Sequence, residues 1–258
     1  MSVLNKVTTI AYYTMKEILK SKILLNVSLI GLGMMLISYV ASEFTYGVPQ
    51  RVALDFGVGM LWFSSAGISL FIGSTLVSRE LESRTVYMII SRPVPRYAFI
   101  LGKVLGLMQV LLLNIIILSL MTLTVFVFLG GQIDQLIYWA LIFNVIESLL
   151  LLLVVVFFSL LTNNILSVLI ALVLLFAGHF VKETQNIFMV KNNVLVSGLL
   201  DFYHYVLPGF YKLNLKDFLL YQQTLPAEYL WTNLGYGIVY SLFLLFLILF
   251  LFEKKNLD

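Results

Sequence analysis

Long apolar stretches alternate with short polar stretches along most of the chain. A helix needs about 20 mostly apolar residues to cross the hydrocarbon core of a bilayer. Six stretches meet this requirement, and charged or turn-forming residues separate them. The pattern predicts an all-α membrane protein with six transmembrane helices, at residues 23–41, 53–77, 104–129, 136–161, 165–181 and 234–252.

The connection between the fourth and fifth predicted spans is very short. It consists of Thr162, Asn163 and Asn164, and asparagine favours turns because its side chain bonds to the nearby backbone. Two helices joined in this way are expected to be antiparallel neighbours.

Residues 1–22 follow an amphipathic helical pattern, which predicts an interfacial helix in the plane of the lipid headgroups. This helix either anchors the chain in the membrane and orients the first span, or it also binds a cytoplasmic partner. Its apolar face consists of Val3, Leu4, Val7, Ile10, Ala11, Met15, Ile18 and Leu19.

The composition supports an integral membrane protein surrounded by lipids. Of the 258 residues, 61% are hydrophobic and 11% are charged, which is more apolar material than a soluble domain of this length can bury. Cysteine is absent and only His179 and His204 are histidines, so no metal site is predicted within one chain. A net charge of +3 is ordinary for a membrane protein and does not indicate nucleic acid binding.

The distribution of basic residues predicts the orientation. Lysines and arginines concentrate before the first span, between the second and third spans, and after the sixth span. Short loops that are rich in lysine and arginine usually lie on the cytoplasmic side of the membrane. Both termini are therefore expected in the cytoplasm, with the protein in the cell (inner) membrane and residues 183–233 on the outer side.

The segment at residues 78–103 is the most densely charged connection between spans. Ser78 can cap a helix whose first turn holds Glu80 and Glu82, and Arg92-Pro93 can end it. Pro95 then suits the start of the helix that becomes the third span. The pattern predicts a short cytoplasmic helix that either docks on a soluble partner or lies on the membrane surface.

This segment, SRELESRTVYMIISRPVPRYAFILGK, resembles the loop between the second and third spans of type-2 ABC transporter permeases, which are exporter-like subunits with six spans. The sequence HYVLPGFYKLNLKD at residues 204–217 resembles the outer segment before their last span, although Gly209 stands where many members have a polar residue. The resemblance covers the whole topology of one permease domain, residues 1–258. The residues that match the loop pattern are Glu80, Glu82, Thr85, Ser91, Pro93, Arg96, Tyr97, Gly102 and Lys103.

The resemblance implies a permease, expected as a homodimer, that works with two copies of a cytoplasmic ATP-binding subunit. That partner would bind ATP and magnesium, and the complex would export an amphipathic or lipid-like molecule. This chain contains no GxxxxGK[ST] motif and is therefore not expected to be an enzyme by itself. The predicted contact residues for the partner are Glu80, Glu82, Arg84, Thr85, Tyr87, Met88, Ile90, Arg92, Pro93 and Arg96.

Glu147 is an ionisable residue near the middle of the fourth predicted span, with Asn144 three residues earlier on the same face. A carboxyl group in lipid is costly, so Glu147 should face other helices or an aqueous cavity. It is either part of a substrate or proton pathway with Asn144 or a protonated group hydrogen-bonded between helices. Asn26, Gln109 and Asn114 are each expected to make an interhelical hydrogen bond.

The aromatic segment at residues 183–233 predicts short helices on or in the outer leaflet, interrupted at Pro208-Gly209 and at Pro226. They would form either an outer gate or a lid that only shields helix ends.

Two other function classes remain open. One is a secondary transporter or channel that uses Glu147, and the other is a membrane scaffold that transports nothing.

Overall fold

The computed structural model describes residues 3–20, 49–82, 95–185, 206–221 and 225–254, with single residues or short groups between 29 and 40 and between 196 and 203. All regular elements in these ranges are helical. The α-helices are α1 (Val3–Lys20), α2 (Pro49–Glu82), α3 (Arg96–Phe128), α4 (Gln135–Leu161), α5 (Asn164–Gln185), α6 (Lys216–Leu220) and α7 (Ala227–Lys254), and a 3-10 helix spans Phe210–Lys212.

Five of the described helices are long and apolar enough to cross a membrane. They correspond to the second to sixth predicted spans. The first predicted span, residues 23–41, lies mostly outside the described residues. The crossing segments are Pro49–Thr75, Arg96–Phe128, Gln135–Leu161, Asn164–Val181 and Ala227–Lys254.

The helices on both sides of the 78–103 segment are longer than the sequence pattern predicted. α2 continues without a break to Glu82, so Ser78 lies inside a helix and the prediction that it begins a new one is wrong. Neither glycine nor proline occurs between Ser74 and Arg92, so nothing in the sequence favours a helix end at residue 78. α3 begins at Arg96, directly after the extended Pro95, as the position of that proline predicted.

α4 is the central helix of the bundle. Every residue from 150 to 156 is buried, and α2, α5 and α7 pack around it. A helix that is apolar on all sides can be covered on all sides, which is why its sequence shows no polar face. The interhelical hydrogen bond predicted for Asn114 is present, because Ser64 Oγ donates to Asn114 Oδ1 at 3.2 Å.

α4 and α5 form an antiparallel pair around a turn at Thr162 and Asn163, which confirms the predicted neighbour relation. Asn163 Oδ1 accepts a hydrogen bond from the backbone N–H of Leu166 at 3.0 Å. This bond satisfies one of the free N–H groups in the first turn of α5. The side chain of Asn163 therefore stabilises the start of the helix as well as the turn.

The N-terminal helix α1 packs along the beginning of α3. A Cβ atom on Gly102 would lie 2.7 Å from Ile10 Cβ, and one on Gly106 would lie 2.7 Å from the Ala11 carbonyl oxygen. The two glycines therefore allow close helix contact. The amphipathic pattern of α1 is confirmed, although Val3 and Leu4 of the predicted apolar face are exposed. A position in the headgroup plane stays a prediction.

The segment at residues 183–233 is called the outer segment here, after the side of the membrane on which it is predicted. Its described part enters the helical bundle. Pro208 and Gly209 are outside any helix, and Pro226 lies immediately before α7, so both predicted interruptions are confirmed. Between them, the chain inserts a buried apolar surface among the ends of the membrane helices. That surface consists of Phe210, Leu213, Leu215 and Leu219, which are between 0% and 6% exposed.

Candidate substrate cavity

Three helices bring Trp62, Glu147 and His179 into contact. Trp62 Nε1 of α2 donates a hydrogen bond to Glu147 Oε1 of α4 at 2.7 Å. His179 Nε2 of α5 lies 3.2 Å from the same oxygen, which is an ion-pair distance, but it lacks the alignment of a hydrogen bond. Glu147 is only 4% exposed. A buried carboxylate needs such partners, because removing the charge from water is costly.

The position of the histidine ring determines where its hydrogen lies. His179 Nδ1 is 2.9 Å from the Leu175 carbonyl oxygen, which can only accept a hydrogen bond. Nδ1 therefore carries the hydrogen, and a neutral ring would place the lone pair of Nε2 against Glu147 Oε1. Two acceptor atoms at this distance repel each other. In the absence of a ligand, this contact favours one additional proton on the Glu147–His179 pair, on either the carboxyl group or the ring.

A cavity of about 400 Å³ adjoins this pair. It lies between α2, α4 and α5, and the described outer segment covers it from Tyr211 to Phe218. A volume of this size is typical of a site for a small molecule. Apart from Glu147 and His179, the lining includes Val58, Gly59, Trp62, Ala140, Asn144, Phe176, Phe180, Tyr211, Leu213, Asn214, Leu215, Lys216, Asp217, Phe218 and Tyr229.

Asn144 lines the cavity together with Glu147, as their spacing predicted. Its amide nitrogen Nδ2 is buried and has no hydrogen-bond partner within the described part of the chain. The hydrogen bonds and ion pairs of Glu147 to described residues all involve Oε1. Two polar groups one helical turn apart in the cavity wall therefore have no hydrogen-bond partner among the described residues. They are the second carboxylate oxygen of Glu147 and the amide nitrogen of Asn144.

The outer segment is fastened over the cavity by contacts with α5 and α7. The Phe210 ring stacks on the His179 ring with centroids 6.1 Å apart and planes inclined by 5°. A Cβ atom on Gly178 would lie 2.7 Å from Phe210 Cδ2, so only glycine fits this approach. The backbone N–H of Gly209 donates to the Tyr236 hydroxyl at 2.8 Å. Movement of this segment would therefore change the surroundings of His179.

The mouth of the cavity carries charges of both signs. Lys216 Nζ on α6 forms an ion pair with Asp55 Oδ1 on α2 at 2.8 Å, and Asp217 beside it is exposed. Burial raises the pKa of the Tyr211 phenol, as do the neighbouring tyrosines, so this side chain is neutral at physiological pH. The ion pair links the outer segment to the first turns of α2.

The predicted contact residues for a cytoplasmic partner lie at the opposite end of the bundle or outside the described residues. α2 passes the cavity near Trp62 and ends at Glu82, and Arg96 begins α3, where its Nη1 donates to the Glu253 carbonyl oxygen at 3.3 Å. Glu80 and Glu82 belong to the last two turns of α2. The positions outside the described residues are Arg84, Thr85, Tyr87, Met88, Ile90, Arg92 and Pro93.

Sequence reasoning missed Trp62 and His179 as members of the site. Glu147 stood out because an intramembrane charge is rare, but its partners are 85 and 32 residues away along the chain. The presence of only two histidines was visible, whereas their distance from Glu147 was not. In the ranges covered by the structure, no group of three or more histidine, aspartate or glutamate side chains could hold a metal ion.

A family model described as "ABC-2 family transporter protein" matches residues 8–257, which is nearly the whole chain. The search of curated proteins found no match.

Proposed function

Because the chain belongs to the ABC-2 family of transporter proteins, we propose that it is a permease subunit that exports an amphipathic or lipid-like molecule with energy from a separate ATP-binding subunit. Family membership and the five apolar spans among the described helices make it a membrane component of an ABC transporter. The export direction, the substrate class and the composition of the complex belong to the proposal.

The observation that carries the proposed role is the cavity between α2, α4 and α5. It lies inside a bundle of membrane helices, has an aromatic lining and a buried carboxylate, and is covered by the outer segment. An apolar space with a few polar groups suits a molecule that has an apolar body and a polar head. A cover fastened by a small set of ring contacts and hydrogen bonds is suited to opening towards the outside.

Energy would reach the cavity from the other end of the bundle. ATP and magnesium would bind to two copies of the cytoplasmic partner, which would contact the segment at residues 78–103 on each of two permease subunits. The two partner subunits would close around ATP and move this segment. Because ATP would bind the closed state more tightly than the open state, its binding would drive this conformational change. α2 and α3 flank the segment and run through the whole bundle, so a displacement there would shift the cavity wall.

The proposed complex is a homodimer of permease subunits in the cell (inner) membrane with both termini in the cytoplasm. The high density of lysine and arginine near the ends and in the 78–103 segment supports this orientation. In this orientation the cavity and its cover lie on the outer side. The lipid-facing surfaces of the spans would contact the bilayer directly.

The test is purification of the tagged full chain from its native membrane in mild detergent. An ATP-binding subunit should co-purify, and the complex in lipid vesicles should hydrolyse ATP only when magnesium is present. A variant with Lys substituted for Asp134, which is exposed near the outer end, serves as a control that should keep the partner. Recovery of the chain without any ATP-binding subunit would overturn the proposal.

A second candidate function is proton-driven transport by this chain alone. The specific observation in its favour is the buried Glu147–His179 pair, two groups able to exchange protons beside the cavity. The two functions predict different energy sources in vesicles that contain only the purified permease. Substrate movement driven by a pH gradient without ATP would favour the second candidate, whereas movement only with the partner and ATP would favour the first.

A further inference from the structure

We propose that the cavity binds a hydrophobic organic cation, which pairs with the Glu147 carboxylate and displaces the proton that Glu147 shares with His179. This inference rests on the proposed transport function and names the class of molecule that the cavity accepts. It follows from the charges, the free atoms and the aromatic lining of the site. Each of these points is independent of the family match.

The first argument is the free oxygen of Glu147. Trp62 and His179 both approach Oε1, and the described residues provide no partner for Oε2. Glu147 is nevertheless almost completely buried and lines the cavity. Oε2 is not among the fully buried atoms without a partner, so it is accessible from the cavity and open to a bound positive charge.

The second argument is the balance of charged groups that face the pair. On α2 and the outer segment, Asp55 and Lys216 neutralise each other at the mouth. Asp217 adds a negative charge, and Lys212 adds a positive charge next to the lining, over the ring of Tyr236. Tyr211 and Tyr229 contribute only phenols. Lys216 is the one ammonium group among the described lining residues, and it is already paired. These surrounding charges cancel, so the Glu147 carboxylate itself is what favours a cation over an anion in the cavity.

The third argument is the chemistry of the walls. Aromatic rings attract cations through their negative faces and also bind apolar groups. Asn144 adds a free amide near Glu147, which can donate to an oxygen next to the charged group. A hydrophobic cation satisfies the carboxylate and the apolar walls together. The aromatic lining residues are Trp62, Phe176, Phe180, Tyr211, Phe218 and Tyr229.

The exchange is balanced in charge. One cation enters, one proton leaves the Glu147–His179 pair for the solvent, and the net charge of the site stays the same. Because His179 Nδ1 keeps its hydrogen, which it donates to the Leu175 carbonyl oxygen, the proton that leaves comes from Nε2 or from the Glu147 carboxyl group. Cation binding should therefore strengthen as the pH rises and weaken as it falls.

The experiment uses two probes of the same shape and opposite charge, tetraphenylphosphonium and tetraphenylborate. Binding of each to the purified full chain is measured by equilibrium dialysis. The wild-type chain should bind tetraphenylphosphonium more tightly, with an affinity that rises by up to about tenfold per pH unit if one proton leaves for each cation bound. About one proton per cation should appear in a weakly buffered solution.

Three variants separate the inference from a general effect on folding. Glu147→Gln keeps the shape and removes the charge, and it should weaken tetraphenylphosphonium binding at least about tenfold, equivalent to about 1.4 kcal/mol. Asp134→Asn removes an exposed carboxylate outside the cavity and should bind like wild type. His179→Gln keeps the carboxyl group but removes the ring that can hold the proton, so the pH dependence of its cation binding should differ from that of wild type between about pH 5 and pH 8.

Equal binding of both probes to the wild-type chain would overturn the inference, as would unchanged cation binding by Glu147→Gln. If Glu147→Gln elutes as an aggregate, the result for His179→Gln decides, and a pH dependence like that of wild type contradicts the proposal. A complex that keeps its ATP-binding subunit and hydrolyses ATP but binds no cation would refute this inference alone. Loss of the partner subunit would instead refute the proposed function.

Discussion

At the scale of single residues, the buried Glu147 is the costliest feature of the molecule, and its neighbours explain how it is tolerated. Trp62 provides an indole N–H that can only donate, and His179 provides a ring whose orientation is set by the Leu175 carbonyl oxygen. Both partners lie on helices other than α4. The carboxylate therefore joins three spans, α2, α4 and α5, beside the cavity.

Substitution of Phe for Trp62 tests this role. Phenylalanine retains most of the ring but removes the N–H donor, so Glu147 loses a hydrogen bond that is worth about 1.5–3 kcal/mol for a charged acceptor. The melting temperature of the purified protein should fall. Trp231→Phe is the matched control because Trp231 is 61% exposed, and its melting temperature should stay close to that of wild type. Equal melting temperatures of the two variants would contradict the assigned role.

At the scale of elements, the contact between α1 and α3 shows how the amphipathic N-terminal helix is attached to a membrane span. Gly102 and Gly106 lack side chains, and Ile10, Ala11 and Thr14 occupy the space that this leaves. Close contact over two turns adds many small dispersion contributions. α1 is thereby connected to the helix that begins at Arg96, next to the charged segment at residues 78–103.

A cysteine pair tests this contact directly, because the natural chain contains no cysteine. A Cβ atom on Gly106 would lie 2.7 Å from both Thr14 Cβ and the Ala11 carbonyl oxygen. Gly106→Cys with Thr14→Cys therefore requires the two helices to separate by about 1 Å to reach the spacing of a disulfide. Mild oxidation should cross-link this pair and change its mobility on a denaturing gel. Gly106→Cys with Tyr13→Cys is the control, since Tyr13 is exposed on the other side of α1. Equal cross-linking of both pairs would refute the packing.

At the scale of the whole molecule, two chemically different regions lie at opposite ends of the same helices. The cavity and its cover are at one end, and Glu82 and Arg96 lead into the charged segment at the other. α2 extends over 34 residues and α3 over 33, which is longer than a bilayer core requires. Continuous helices of this length can carry a displacement from one end to the other without a hinge.

Charge reversal in the 78–103 segment tests this connection. Glu82→Lys and Arg84→Glu should each reduce the amount of ATP-binding subunit that co-purifies, because opposite charges on the partner would then face like charges. The double variant should also bind less ATP-binding subunit than wild type. Recovery of the wild-type amount would show that Glu82 and Arg84 pair with each other and not with the partner. The Asp134→Lys variant controls for a change in net charge. Normal co-purification with both single variants would show that the partner binds elsewhere.

The sequence by itself determined the class of the protein and the approximate position of most helices. A bilayer requires long apolar helices, and this requirement appears in the linear pattern, as do the turn at Asn163 and the interruptions at Pro208 and Pro226. Glu147 and Asn144 were also found, because polar groups are conspicuous in an apolar span. Where helices end was less visible, and α2 continues through Ser78 because no residue there opposes helix formation.

Only the tertiary structure decided what surrounds these residues. The partners of Glu147, the stacking of Phe210 on His179 and the packing of α1 on α3 all join positions that are far apart in the sequence. Hydrophobicity determines that a span is buried in lipid or protein, but it does not determine which neighbouring helix each side of the span contacts. That choice depends on the shapes and polar atoms of several helices at once, and it creates the cavity.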